Sequence, residues 1–345
     1  MLQEFAARHH VNFSENRLRG YAPAWNQPAF QLGFVSLLAD QGLTMISGED
    51  AASFLHGQIS NDVERLPQNV VRRAAYCTAK GRMLASFLYW KTEQGIMLQM
   101  ARDLQASTQK RLQMFVLRAK ANLTDCNEQY VSIALGGTHA AGAVQKWFPD
   151  LPAEGEQRSN DAGTLIRQDG VHGLLRLIWI CPVALADQAW THLSAQLAVC
   201  NSSDWYLSHI LAGIPYIQAA TQEKFVPQMI NFELVGGVNF KKGCYPGQEI
   251  VARSQYLGKL KRRMALGQAA AAGLVAGMDV YHEAHPEQAC GTIVNAENAD
   301  ESSSLILFES TLADQEAGVL RVGSPDGPVI SLMPLPYPIV DVTRD

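Results

Sequence analysis

Apolar residues recur along this chain with two periods, and the switches between them mark out its elements. From Phe34, the run FVSLLADQGLTMIS reads as two short β-rich segments flanking Asp40-Gln41-Gly42, which predicts a hairpin turn. Ser47 and Asp50, three residues apart, resemble a capping box, and Ala52, Phe54 and Leu55 supply the apolar positions of a following helix. The runs VRRAAYCTA and RMLASFLYW are joined at Lys80-Gly81 and followed by GIMLQM, which predicts an antiparallel sheet. Over 102–119 the period lengthens. Leu104, Leu112, Phe115, Val116 and Ala119 fall at roughly helical spacing, so a helix should cover that sheet.

A second set follows: a strand at 130–137, a helix from Thr138, strands near 163–167 and 174–180, and helices near 184–198 and 203–212. Strands and helices mix without strict alternation, which favours α+β layers over a doubly wound parallel sheet. The stretch 149–163, PDLPAEGEQRSNDAG, is polar with two prolines and two glycines and reads as an exposed loop. After Lys259 short β-type runs (MALGQ, GMDVYH, CGTIVNA, SLILFES, GVLRVG, PVISLMP) recur with turn residues between them, as in a small β-barrel or sandwich. The first 20 residues lack the apolar core of a signal peptide and read as a loose extension. A chain of 345 residues exceeds one ordinary core, so two or three domains are expected.

Composition narrows the function classes. With 47% hydrophobic and 18% charged residues the chain is an ordinary globular protein, and its net charge of −5 argues against a stable nucleic-acid complex. The positive charge is clustered at Lys241, Lys242, Arg253, Lys259, Lys261, Arg262 and Arg263, which is either a solvated edge or a landing site for an anionic ligand tail. No apolar run approaches the roughly 18 residues of a bilayer-spanning helix, so no membrane insertion is expected. The six cysteines are scattered with no CxxC, so no metal site is read from them, and single thiols suit the reducing cytoplasm.

Chemistry concentrates in NFKKGCYPGQEIVAR, residues 239–253. Cys244 follows two lysines, lies between Gly243 and Gly247, and precedes Pro246 at what reads as a helix start. The two ammonium groups, the Arg253 guanidinium and the positive end of the helix dipole all favour thiolate over thiol there. A free cysteine more often packs as a small apolar residue. Two flanking glycines point instead to a loop that a ligand or partner can approach closely.

The string Lys242-Gly243-Cys244-Tyr245-Pro246-Gly247-Gln248-Glu249 resembles the K-G-C-[FY]-x-G-Q-E signature of the YgfZ folate-binding family. FLHGQISNDV (54–63), YCTAKGRM (76–83), AGIPYI (212–217), FVPQMINFE (225–233), GGVNFKKG (236–243) and PLPY (334–337) resemble family segments in the same order. The resemblance implies an α+β, three-domain, ring-like fold related to the glycine-cleavage T-protein, an aminomethyltransferase. Residues 1–30 would be an extension, 31–258 two interleaved α+β domains, and 259–345 a β-barrel. It further implies a tetrahydrofolate or derivative as cofactor, and a role in assembly or repair of iron–sulfur enzymes such as tRNA thiolases, met transiently.

Residue by residue, the resemblance makes Cys244 and Lys242 the candidate catalytic pair, and Trp205, Gln41, Asp62, Gln228 and Asn231 the candidate folate contacts, with Arg253 closing the motif. An indole face at Trp205 is apt for stacking on a pterin ring. Gln41 stands where the family has a second tryptophan, and Leu211 where relatives carry a glutamate that could bond a pterin edge. Ala85 and Ser86 occupy the place of the T-protein's catalytic aspartate, so aminomethyl transfer from glycine is not expected. A one-carbon transferase acting on protein or RNA stays open as the alternative, as does a scaffold that no longer binds folate. Gly136-Gly137-Thr138 lacks the second glycine of a dinucleotide fingerprint and reads as an ordinary turn, and YHEAHPE reads as a surface loop rather than a metal motif.

Overall fold

The computed structural model of the protein describes residues 2–22, 28–256 and 261–340, and the chain divides into two compact units. The first comprises Met1–Phe54, Glu64–Arg72 and Leu88–Trp205. Its six-stranded sheet runs in the order Gln157–Asn160, Gly163–Arg167, Arg176–Pro182, Tyr130–Gly136, Phe34–Leu37 and Ala198–Val199. Neighbours are antiparallel except the last pair, which is parallel. Val35, Leu37, Ile133, Leu135, Leu177 and Trp179 alternate along their strands and meet Ala186, Ala189, Trp190 and Leu193 of the Val183–Ser194 helix in one core. The residues between them, such as Phe34, Ala134 and Ile178, are also buried, which is why these strands read as continuous apolar runs.

Three expectations for this unit are corrected. Phe34–Leu37 and Gln41–Ser47 form no hairpin with each other: the turn, closed by Gln41 N–H donating to Leu38 O (3.1 Å), carries the chain into a different sheet, where Gln41–Ser47 pairs with Ile96–Ala101 and Asn122–Asp125. Ser47 caps nothing, because the helix begins at Ala51 and the Asp50 carboxylate accepts from Lys120 N–H (2.8 Å). The N-terminal residues are not a loose extension. They form the Leu2–His9 helix and an Asn12–Ser14/Arg17–Arg19 hairpin that insert Phe5, Val11 and Leu18 into the core.

The helix expected over 102–119 spans Arg102–Val116 and buries Leu104, Gln105, Thr108, Leu112 and Val116. That near four-residue spacing leaves Phe115 off the buried face, 46% exposed. Gln105, unremarkable as a polar residue, donates to Leu43 O and Thr44 Oγ1 and so fastens the helix to the sheet. The polar stretch 149–163 includes an edge strand, Gln157–Asn160.

The second unit comprises Leu55–Val63, Arg73–Phe87 and Tyr206–Asp345. Its Lys80-Gly81 turn forms as expected, with Thr78 N–H donating to Arg82 O (2.8 Å) and Gly81 N–H to Thr78 O (2.9 Å). The six runs after Lys259 all become strands. The antiparallel sheet is ordered Leu320–Val322, Asp279–His282, His285–Asn298, Ser304–Thr311, Arg262–Ala269 and Ile330–Met333. It curls so that Arg321 bridges Val329 beside the opposite edge strand, around a core of Val280, Ile293, Ile306, Phe308, Leu320 and Ile330. Among the described residues no helix is long and apolar enough to cross a membrane.

Candidate functional site

Three short segments of the second unit converge, and the glycines decide how closely. Gly247 adopts φ +82°, and a Cβ there would lie 2.4 Å from Thr78 O and 2.8 Å from Gly81 N and Cα. Gly81, itself at φ +72°, faces Ile250, so the Lys80-Gly81 turn and the start of the Gln248–Tyr256 helix touch backbone to backbone. The helix begins two residues later than Pro246 suggested, because Gly247 takes the left-handed conformation ahead of it.

The 236–244 loop is fastened to the segment after the Ala51–His56 helix. Asn239 N–H donates to Ser60 O (2.9 Å), Ser60 Oγ–H to Gly237 O (2.6 Å) and Asn61 Nδ2 to Gly236 O (2.7 Å). Lys242, 8% exposed, donates its ammonium to His56 O and to Ile59 O (2.8 Å) and lies 5.0 Å above the Tyr245 ring. Tyr245 is buried, and burial pushes its phenol up, with Cys77 adding to the shift. Lys242 and Tyr245 therefore anchor the loop from below. The Lys242 ammonium, expected to lend its charge to the thiol, is held by backbone carbonyls.

Cys244 is exposed at the top of this loop. Of the other cysteines, Cys77, Cys126, Cys181 and Cys200 are buried and Cys290 is half-buried. Burial pushes Cys77 and Cys181 up to about 12 and Cys290 up to about 11, so none of these offers a thiolate at neutral pH. A chemically able side chain that the sequence alone did not single out lies beside the loop. His56 Nε2 is 3.3 Å from where a Cβ on Gly243 would stand, and its Nδ1 faces Asp62 Oδ1 at 3.3 Å. The one signal for it was the histidine inside FLHGQISNDV.

The remaining motif members are structural or solvated. Gln248 Nε2 donates to Lys242 O (3.4 Å), while Glu249 and Arg253 are exposed on the helix. The basic cluster largely dissolves into ion pairs: Arg262 is bidentate to Glu309, and buried Arg263 pairs with buried Glu233 and donates to Gln228 O. Lys241 and Lys261 are exposed, and Lys259 lies outside the described residues.

The five candidate folate residues are divided between the two units. In the first unit Trp205 is 1% exposed, with the Arg176 guanidinium 4.9 Å over its ring and Phe34 against it, so a stacking ring would have to displace one of them. Gln41, in the same unit, lines a cleft of about 200 Å³ with Leu38, Arg102, Asn127 and Ser132. In the second unit Gln228 donates to Val251 O, and Asn231 donates to Met264 O while accepting from Met264 N–H. Asp62 faces His56. The Trp205 indole and the Gln228 and Asn231 carboxamides are thus engaged within their own units. Gln228 Oε1 is the exception, buried without a hydrogen-bond partner. Among the described residues no group of His, Cys, Asp and Glu is arranged to hold a metal ion.

Comparison with known proteins adds two findings. The chain is 30% identical over 309 residues to the tRNA-modifying protein YgfZ of Enterobacter sp. (strain 638), covering 87% of this chain and 92% of that protein. It is 28% identical over 302 residues to the tRNA-modifying protein YgfZ of Escherichia coli (strain SE11), with the same coverage. Among solved structures, the glycine cleavage system aminomethyltransferase T from Bartonella henselae superposes with a TM-score of 0.79 over 99% of this chain and 97% of that one, at 13% identity. The fold is therefore that of the T-protein. No family model matches the chain.

Proposed function

The chain belongs to the YgfZ family, and from that membership we propose that it is a cytoplasmic, tetrahydrofolate-binding accessory protein for assembly or repair of iron–sulfur enzymes, including those that modify tRNA, acting through the Cys244 thiol. The observation that carries this reading is the contrast within the signature loop. Lys242 and Gln248 donate to backbone carbonyls, Gly247 packs against the 78–81 turn and Tyr245 is buried, while the Cys244 thiol is presented to solvent. A loop so fixed around one exposed sulfur suits brief contact with a partner's sulfur or metal centre. One thiolate cannot by itself retain a cluster, so the partner supplies the other ligands.

The folate part of the proposal rests on the family and the fold, and no chemical step is routed through it. Transfer chemistry of the T-protein kind is disfavoured at 85–86. Ala85 and Ser86 are buried, and the Ser86 hydroxyl accepts from Ile217 N–H (2.9 Å), so the position has no carboxylate to steer a reacting folate nitrogen. The test is complementation. Cells lacking the gene are rescued with the wild type or with Cys244→Ser, and the tRNA product of a radical iron–sulfur thiolase is quantified. The serine variant is expected to accumulate normally and fail to restore the product; full rescue overturns the assignment to Cys244. Titrating intrinsic tryptophan fluorescence with tetrahydrofolate tests the cofactor, and no saturable change overturns that part alone. Consumption of methylene-tetrahydrofolate that requires Cys244 would replace this reading with the transferase.

A further inference from the structure

We propose that a cleft in the first unit binds a neutral, planar nitrogen heterocycle of nucleobase size, such as the base of a purine nucleoside, and that the indole N–H of Trp90 donates to its edge. The cleft is formed wholly by residues of the first unit, whereas Cys244 belongs to the second, so the inference is independent of the reading given to that thiol.

Two rows of side chains wall the cleft. Trp90, Met97 and Met45 are successive cross-strand neighbours in the sheet that holds Gln41–Ser47, and all three line it. Ser159, Thr164 and Ile180 form the corresponding row of the six-stranded sheet. Directly paired residues project to the same face of a sheet, so each row presents one continuous wall. The volume is about 490 Å³, which falls in the range of small-molecule sites, roughly 300–1,000 Å³.

The chemistry of the walls selects the occupant. Trp90 is fully buried, and its Nε1–H makes no hydrogen bond within the protein. An indole nitrogen can only donate, and a buried donor left unpaired keeps its whole desolvation cost, so an occupant that brings an acceptor to it is stabilised. The thioether of Met97 and the Trp90 ring favour an aromatic guest over an aliphatic one. On the other wall the polar groups satisfy one another. Ser159 Oγ–H donates to Gln157 Oε1 (2.7 Å), and Thr164 Oγ1 lies 2.8 Å from Ser159 Oγ. The exposed carboxamides of Gln68 and Gln94 stand at the rim, each offering a donor beside an acceptor, as the edge of a base requires. Charge excludes a phosphate as the main attraction. Arg158 is the one cation among the lining residues and already lies 3.9 Å from Asp150, while Glu93 and Asp161 line the same cleft.

The experiment titrates isotope-labelled full-length protein with adenosine, guanosine, adenosine monophosphate and tetrahydrofolate, following the tryptophan indole N–H resonances by NMR and measuring affinity by equilibrium dialysis. Adenosine or guanosine at millimolar concentration should move the Trp90 resonance downfield to saturation, and the monophosphate should bind more weakly than adenosine. Trp90→Phe keeps a ring and removes the donor. It identifies the resonance by its loss and should weaken dialysis binding about fivefold, as expected for one neutral hydrogen bond. Thr164→Phe fills the cleft from the other wall and should abolish binding, so a folding defect in one variant leaves the other to decide. No saturable response to either nucleoside, or affinity within twofold of wild type in the folded variants, overturns the proposal. A response to tetrahydrofolate alone overturns the nucleobase assignment, and tighter binding of the monophosphate than of adenosine overturns the neutral one.

Discussion

Replacing Gly247 by alanine tests whether the signature glycine is there for closeness rather than flexibility. At φ +82° an alanine is strained by roughly 1–2 kcal/mol. Its methyl would also stand 2.4 Å from Thr78 O and 2.8 Å from Gly81 N and Cα, and all three are backbone atoms that cannot swing aside. Relief requires the 78–81 turn to retreat, which endangers the Gly81 N–H to Thr78 O bond, worth about 0.5–1.5 kcal/mol net. Together these give a loss of about 2–4 kcal/mol, with the cysteine loop detached from the turn beneath it. The comparison is Gly243→Ala, where φ is not positive and the methyl meets only the edge of the His56 ring at 3.3 Å, so stability should fall by under about 1 kcal/mol. Denaturant unfolding of both variants against wild type measures the difference. Gly247→Ala within about 0.5 kcal/mol of wild type would refute the close approach.

Lys242→Met should cost about 2–4 kcal/mol, because it leaves the His56 and Ile59 carbonyls without a donor in a buried place; a change below about 0.5 kcal/mol in the same assay would put the ammonium in solvent. Cys244→Ser should leave the unfolding midpoint unchanged, since an exposed thiol packs against little; a clear destabilisation would indicate a buried structural residue. Trp205→Ala should destabilise by about 3–5 kcal/mol as a buried aromatic, so lost folate response in that variant has to be read together with its unfolding curve. The His9 ring and the Arg8 guanidinium hold the Asp187 carboxyl below its ordinary range. Their contribution to docking the N-terminal helix is present above the unfolded carboxyl's value and lost as pH falls through the folded one. Hydrogen exchange in residues 2–9 should therefore quicken relative to the core between pH 5 and pH 3, and unchanged protection would refute the link.

Local pattern made much of this fold legible. The six strands after Lys259 announced themselves because each holds a short apolar run with turn residues between it and the next, and pairing between neighbours needs little else. What failed was what depends on distant partners. Asp40-Gln41-Gly42 has the composition of a hairpin turn, yet its two strands pair with Tyr130–Gly136 and Ile96–Ala101, about 50 to 100 residues away, and no local rule sees such partners. The N-terminal residues looked loose because Phe5, Val11 and Leu18 are too sparse for a periodic signal, and they are ordered by a core supplied from elsewhere.

The candidate site divides in the same way. Cys244 and its glycines were readable because they lie within one short string, whereas His56 is nearly 190 positions away and enters only through the hydrogen bonds that clamp 56–62 onto 236–242. Lys242 shows what adjacency in sequence misses: its chain descends into the fold and its ammonium is bound by carbonyls. The loop thus separates two tasks between neighbours, one cation holding the backbone and one sulfur left exposed.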